Sequence, residues 1–365
     1  MAARALLTLV ALTAVLSGCS SSGDDAAEDG QKGFDRVLAE VEGLKGDERA
    51  KKLAAMAKNE GGELTFYTSL VSETEEAVAD AFEDAYDVEV SVYRASGETV
   101  AQRVSEEADA DFRGADVVET GGPEMVGLSN DGLFVSYRPD GSDKLVEGSL
   151  QKNWTAVRFN TFVVAWNTKL VAKDERPRSY EELADPRWKG KLVIEEEDAD
   201  WYKAMLEYLM SEGKSEAQAE KVMEGIAANA QVAASHSLMT QLLSAGEFTA
   251  SPDQYQYQVK DAQDDGAPLE SKPFVEPVFP RPQGMALMKT AKHPAAAVLF
   301  ADWLIGPGQE VLLESNTEVA RKDLNESVDA ERRPIDVVEF ESQTKEWDDR
   351  YAKLISGAQK APEPE

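Results

Sequence analysis

The stretch D-Q-Y-Q-Y-Q, residues 253–258, sets two tyrosines two apart in a polar run. In an extended chain such residues share a face, so Tyr255 and Tyr257 would aim two phenol oxygens at one place; on a helix they diverge. Packing and ligand contact are both open to them. Three other points are small and polar: Thr68-Ser69, Ser96-Gly97 and Thr120-Gly121-Gly122. Residues of these types cap helices, and they also let an oxygen-rich or anionic group reach free backbone N–H groups. Asp200-Trp201-Tyr202 offers an aromatic pair, either for stacking on a ligand or for packing at a helix start. His236, in A-S-H-S, suits a cleft contact or a cap equally. Arg281, in F-P-R-P-Q-G, can pair with a ligand anion or with one of the many carboxylates.

The elements around these residues alternate. Residues 63–68 (E-L-T-F-Y-T) read as a strand, Ser72-x-x-Glu75 as a capping box opening a helix, and Val88, Val90 and Val92 as a second strand. Residues 97–108 are helical, 115–119 form a buried strand, and Pro123 suits the first turn of the next helix. This β-α-β-α-β order predicts a mostly parallel sheet covered by helices, with the three small-residue elbows gathered at the carboxyl ends of its strands. Residues 157–167 (V-R-F-N-T-F-V-V-A-W-N) form a long apolar strand. A second α/β unit follows, with strands at 192–194, 231–234 and 247–251 and helices at 204–210, 217–228 and 237–244. A strand at 281–288 leads to an apolar helix opened by Pro294, with His293 before it in a structural role, and closed by Gly306-Pro307.

The N-terminus carries a different signal. Arg4 precedes an apolar run at residues 5–16, too short to span a membrane comfortably, and Leu16-Ser17-Gly18-Cys19 follows it. This resembles the lipobox of bacterial lipoproteins, with Cys19 as the lipidated residue. It is the single cysteine, so no disulfide forms within the chain. The segments expected are a signal peptide (1–18), an acidic flexible tether (19–33) and a helical stretch (34–60). The 69 acidic against 38 basic residues leave a net charge of −31. Such a balance argues against nucleic acid as a partner and fits a solvated, repulsive surface. No G-x-S-x-G elbow, H-E-x-x-H or phosphate-binding loop marks an enzyme.

G-E-L-T-F-Y-T-S, V-Y-R-A-S-G-E, G-A-D-V-V-E-T-G-G-P-E-M, D-P-R-W-K-G-K-L-V-I and H-P-A-A-A-V-L-F-A-D-W-L stand in this order along residues 61–313. Together they resemble the extracellular solute-binding proteins of ABC importers, of the ferric-ion-binding type. The resemblance implies a type II periplasmic-binding-protein fold: two α/β lobes, each a mixed, mostly parallel sheet flanked by helices, with the ligand cleft between them. Lobe 1 is then 61–157 with 279–315, lobe 2 is 158–278 with 316–355, and 356–365 is a polar tail. It further implies a monomer, outside the cytoplasm and lipid-anchored to the cell membrane, that serves a permease and an ATPase and catalyses nothing. A sensor or interaction protein reusing the fold is the alternative from another class.

In ferric-binding relatives an adjacent tyrosine pair of the second lobe supplies phenolate oxygens to iron. Tyr255 and Tyr257 fall in the matching region, separated by Gln256. Val71 stands where some relatives place a histidine, and T-G-G, flanked by Glu119 and Glu124, where they place an acid. Ferric ion with a synergistic anion is the expected cargo, not a resident cofactor. The rival is a polyamine, thiamine or phosphonate- or phosphate-type solute held by Thr68, Ser69, Ser96, Gly97, Thr120, Gly121 and Gly122. Trp201 and Tyr202 would then lie against its body, with His236 and Arg281 beside it.

Overall fold

The computed structural model describes residues 23–324 and 330–362. Cys19 and the signal segment lie outside the described residues. The first lobe opens with helices α1 (Gly23–Glu40) and α2 (Gly46–Asn59). It then alternates β1 (Glu63–Thr68), α3 (Ser72–Tyr86), β2 (Glu89–Arg94), α4 (Gly97–Asp109), β3 (Val117–Gly121) and α5 (Gly122–Asn130). Strand β4 (Thr155–Asn167) crosses to the second lobe. There the chain builds α6 (Tyr180–Leu183), β5 (Leu192–Glu195), α7 (Ala199–Ser211), α8 (Glu216–Asn229) and β6 (Ala230–Ala233). It continues through α9 (His236–Ala245), β7 (Ala250–Tyr255), α10 (Gln256–Asp264) and β8 (Leu269–Glu270). Strand β9 (Phe279–Leu287) crosses back to α11 (Pro294–Leu304) and α12 (Gly308–Glu314). The remaining elements are β10 (Glu318–Val319), α13 (Val337–Glu341), α14 (Thr344–Ile355) and β11 (Gln359–Lys360).

The strands join into one sheet in the order β11-β6-β5-β7-β4-β9-β3-β1-β2, with β8 and β10 both paired to β4. Parallel β2-β1-β3 forms the first-lobe half, and parallel β6-β5-β7 the second. The antiparallel pair β4/β9 joins the halves. All thirteen residues of β4 are buried, which explains the apolar run. Helix α11 is apolar except for Asp302 because it sits inside the first lobe, packed on α1, α2 and β9. Phe66, Phe82, Phe300 and Trp303 form its aromatic centre, with ring centroids 4.8–5.7 Å apart.

Four expectations need correction. The acidic stretch after residue 23 is helical, not a flexible tether: α1 docks beside the β9–α11 loop. A Cβ on Gly30 would stand 1.8 Å from the Lys289 carbonyl oxygen, so glycine is what lets the helix lie that close. The Ser72–Glu75 capping box does not form. The ladder starts one residue earlier, with Val71 as N-cap and the Glu75 N–H donating to the Val71 carbonyl at 3.0 Å. Helix α13 packs on α5 of the first lobe as well as on α7 of the second, so residues 316–355 are not confined to one lobe. The tail is tied down: β11 pairs with β6, and the Ala361 N–H reaches the Val232 carbonyl at 2.7 Å.

One buried carboxylate binds three pieces of the first lobe. Asp116 accepts from the Thr65 N–H (2.8 Å), the Lys292 N–H (2.7 Å), the His293 N–H (2.9 Å) and His293 Nδ1 (2.9 Å). It thereby ties β1 to the loop before α11 and holds His293 in a structural role, while Glu60 Oε2 caps α11 by accepting the Ala295 N–H at 2.9 Å. Asp116→Ala leaves these donors unmet and should cost about 2–4 kcal/mol, read as a lower Tm in thermal unfolding. An unchanged Tm would contradict this role.

Candidate functional site

The register of the crossing strands makes the floor of the cleft. Arg158 pairs with Gln283 across β4/β9, and Asn160 with Arg281. Residues two apart on a strand share a face, so these four side chains point the same way. All four line a cleft of about 300 Å³ between the lobes. Arg158 is almost fully buried: its Nε donates to Glu119 Oε1 (2.9 Å) and Nη1 to Asn160 Oδ1 (2.7 Å). Glu119 Oε2 in turn accepts from Thr68 Oγ1 at 2.7 Å. The Arg281 guanidinium lies over the rings of Phe162 and Tyr255, 5.0 and 5.3 Å from their centroids. Its Nη1 stands 3.3 Å from Asp200 Oδ1 and 3.6 Å from Asp198 Oδ1. Two buried donors on this floor, Arg281 Nε and Gln283 Nε2, have no partner.

The first lobe adds the mouths of three helices. Ser69 precedes α3, Ser96 caps α4 by accepting the Thr99 N–H (3.3 Å), and Gly121 precedes α5. Ser69, Ser96, Gly97 and Gly121 line the cleft, as does Arg94, whose Nε donates to the Leu70 carbonyl at 2.9 Å. A Cβ on Gly121 would come within 2.3 Å of Glu124 Oε2, so glycine keeps this wall thin. Ser96 is therefore both a cap and a cleft residue.

The second lobe supplies carboxylates and an aromatic stack. Glu195 ends β5, Asp198 precedes α7, and His236 opens α9. The His236 ring lies flat on Tyr255 at 3.7 Å, and Tyr255 stacks on Tyr257 at 5.9 Å. His236 Nε2 stands 3.0 Å from both the Asp253 carbonyl and Asp198 Oδ2. Glu195, Asp198 and His236 each present one ligand atom within 4.8 Å of the others, a set able to hold a metal ion. Burial dominates their titration. It pushes Glu195 up to about 8 and Asp253 up to about 7, each raised further by Asp198. It also holds Asp198 well above its ordinary value against the pull of Arg281, and His236 below its own. Burial raises the Tyr257 phenol too, with Arg158 the main opposing charge.

Among the expected site residues, the structure gathers Ser69, Ser96, Gly97, Gly121, His236, Tyr255, Tyr257 and Arg281 around the cleft. It does not bring Thr68, Thr120, Gly122, Trp201 or Tyr202 there. Thr68 is wholly buried behind Glu119. Strand β3 runs through Gly121, so Thr120 points inward and Gly122 is pressed against the Pro282 carbonyl and Val337. Helix α7 begins at Ala199, which turns Trp201 onto Phe162 in the core and Tyr202 onto Trp347 and Tyr351 beneath α14. Tyr255 ends a strand and Tyr257 sits in the first turn of a helix, so neither the extended nor the helical reading of their spacing holds alone. Arg94, Arg158, Asn160, Gln283, Glu195 and Asp198 were not anticipated. The signal for the floor was present: two polar residues at alternate positions in V-R-F-N-T-F, and two more in P-R-P-Q-G.

A buried carboxyl raised to about 8 from an ordinary 4.5 gives stability that is fully present below about pH 4.5 and is lost as pH rises through 8. Glu195→Gln removes this dependence. The Tm difference should move in the variant's favour between about pH 5 and pH 8; a difference constant with pH would contradict burial as the cause.

The family model for bacterial extracellular solute-binding proteins matches residues 127–336. The major ferric iron-binding protein of Neisseria meningitidis is 26% identical over 198 residues, 52% of this chain and 57% of that protein. The chain thus spans little more than half the length of the curated relatives it matches. Iron-bound HitA from Pseudomonas aeruginosa superposes with a TM-score of 0.66 at 20% identity, over 79% of this chain and 99% of that one. The periplasmic binding protein AfuA from Actinobacillus pleuropneumoniae, with fructose-6-phosphate bound, gives 0.70 at 21%, over 81% and 99%. These structures show the fold, that of a type II periplasmic binding protein. The relatives are solute-binding proteins and not enzymes, as the sequence led us to expect. With more than half of its length inside the family model, this chain belongs to the bacterial extracellular solute-binding proteins.

Proposed function

We propose that this protein is the substrate-binding subunit of an ABC importer, held outside the cytoplasm by a lipid on Cys19, and that its cargo is a small oxygen-rich anion. The observation that carries the cargo is the floor. Arg158, Asn160, Arg281 and Gln283 share one face of the crossing strands, and Arg281 Nε and Gln283 Nε2 are buried there without partners. Buried donors of this kind are costly unless something accepts from them. A phosphate or carboxylate seated on the floor meets them and also faces the N-termini of α3, α4 and α5. The solute bridges the lobes, stabilises the closed form through its greater affinity for that form, and is presented to a permease and ATPase. No bond is made or broken.

Ferric iron is the second reading. Tyr255 and Tyr257 at the cleft, the Glu195–Asp198–His236 set, and relatives named for ferric iron favour it. The two readings separate in the visible spectrum. Titration with ferric citrate in carbonate buffer should give no tyrosinate-to-iron charge-transfer band. A band that vanishes in Tyr257→Phe would instead make iron the cargo.

The floor makes its own prediction. Because Gln283 Nε2 has no partner within the protein, Gln283→Leu breaks no hydrogen bond there. Its Tm should hold or rise, while affinity for a phosphate ester such as glycerol 3-phosphate should fall about tenfold by calorimetry. Unaltered affinity would remove Gln283 from the site.

A further inference from the structure

The vacant bonding capacity of the cleft is of two kinds, at two places. On the floor it is donor capacity, from Arg281 Nε and Gln283 Nε2. On the second-lobe wall it is acceptor capacity. Asp198 is 1% exposed, it lines the cleft, and its Oδ2 has no hydrogen-bond partner. His236 Nε2 is near, but it is equally close to the Asp253 carbonyl, and a carbonyl can only accept. The Asp253 carbonyl meets hydrogen-bond geometry with Nε2, whereas Asp198 Oδ2 lies within ion-pair distance alone and has no hydrogen-bond partner. Glu195 is buried on the same wall, and its Oε2 already accepts the Glu197 N–H at 2.5 Å.

We propose that the wall formed by Glu195, Asp198 and His236 is a second subsite, and that the cargo is bipolar: an oxyanion on the floor, with hydroxyl or ammonium hydrogens donated to Asp198. This rests on the oxyanion reading of the floor and goes beyond it by naming the rest of the solute. A simple inorganic oxyanion would satisfy the floor and leave Asp198 unmet. A bare metal ion would satisfy Asp198 and lie close to the Arg281 guanidinium, 3.6 Å from the same carboxylate. A solute with acceptors at one end and O–H or N–H donors at the other meets both sets.

The test is calorimetry on the purified protein with matched ligands. Glycerol 3-phosphate supplies hydroxyl donors, phosphoethanolamine an ammonium, and n-propyl phosphate neither; glycerate and butyrate make the equivalent carboxylate pair. The donor-bearing member of at least one pair should bind about 10- to 100-fold more tightly than its donor-free partner. The two phosphate arms tell hydroxyl from ammonium. Asp198→Leu should abolish that gain, so that the donor-bearing and donor-free members of the pair bind the variant with equal affinity. Asp198 makes no side-chain cap on α7, so the helix start does not depend on it. Asp198→Asn, which keeps an acceptor oxygen, should retain part of a hydroxyl gain and lose most of an ammonium gain. Equal binding of both members of each pair overturns the second subsite while the oxyanion floor stands. No binding by any of the five ligands, or binding only of Co²⁺ or ferric ion that is lost in Asp198→Leu, overturns the floor reading together with this one.

Discussion

Both lobes hang on one antiparallel strand pair. β4 is bonded to β7 on the second-lobe side and to β9 on the other, and β9 is bonded to β3 of the first lobe. Any rotation of the lobes must bend this pair, and whatever it displays moves least. It displays two guanidinium groups and two amides on one face. Each arginine is fastened to a different lobe. Arg158 is tied by Glu119 to β3, and through Thr68 to the elbow before α3. Arg281 is tied to Asp198 and Asp200 at the start of α7. A ligand on the floor therefore touches charges that report to both lobes at once, which is what closure around a solute requires.

The energetic signature of the site is what the protein leaves unfinished. Native folds pair nearly all buried polar groups, and the exceptions call for a reason. Here Arg281 Nε, Gln283 Nε2 and Asp198 Oδ2 stay unpaired around one small cleft. The second-lobe wall also crowds Glu195, Asp198 and Asp253 together under burial, at a cost visible in their raised pKa values. Such groups would be liabilities in a core built for stability alone. In the function proposed above they are bonding capacity for a ligand, in keeping with the rule that functional sites break local folding rules which the rest of the chain obeys.

Much of the scaffold was legible in the sequence. Strand β1 coincides with E-L-T-F-Y-T, and α11 with the apolar run after His293, because burial on one or all sides imposes a periodicity that the residues display. The site was less legible. A helix start cannot be placed within two residues by pattern alone, and that uncertainty decided the fate of Trp201 and Tyr202. The boundary between β7 and α10 falls between the two tyrosines, so neither periodicity describes their relation. Arg158, Asn160, Arg281 and Gln283 were visible as polar interruptions of apolar strands. Their meeting depends on the register of two segments more than a hundred residues apart, which only the assembled sheet reveals.

What the cleft holds in the cell identifies the cargo. The direct measurement is to purify the protein without metal or ligand exchange, unfold it, and identify the released solute by mass spectrometry alongside elemental analysis. An oxyanion cargo predicts a small phosphate- or carboxylate-bearing molecule, one per chain, with iron far below stoichiometric. Stoichiometric iron with no organic anion would contradict it.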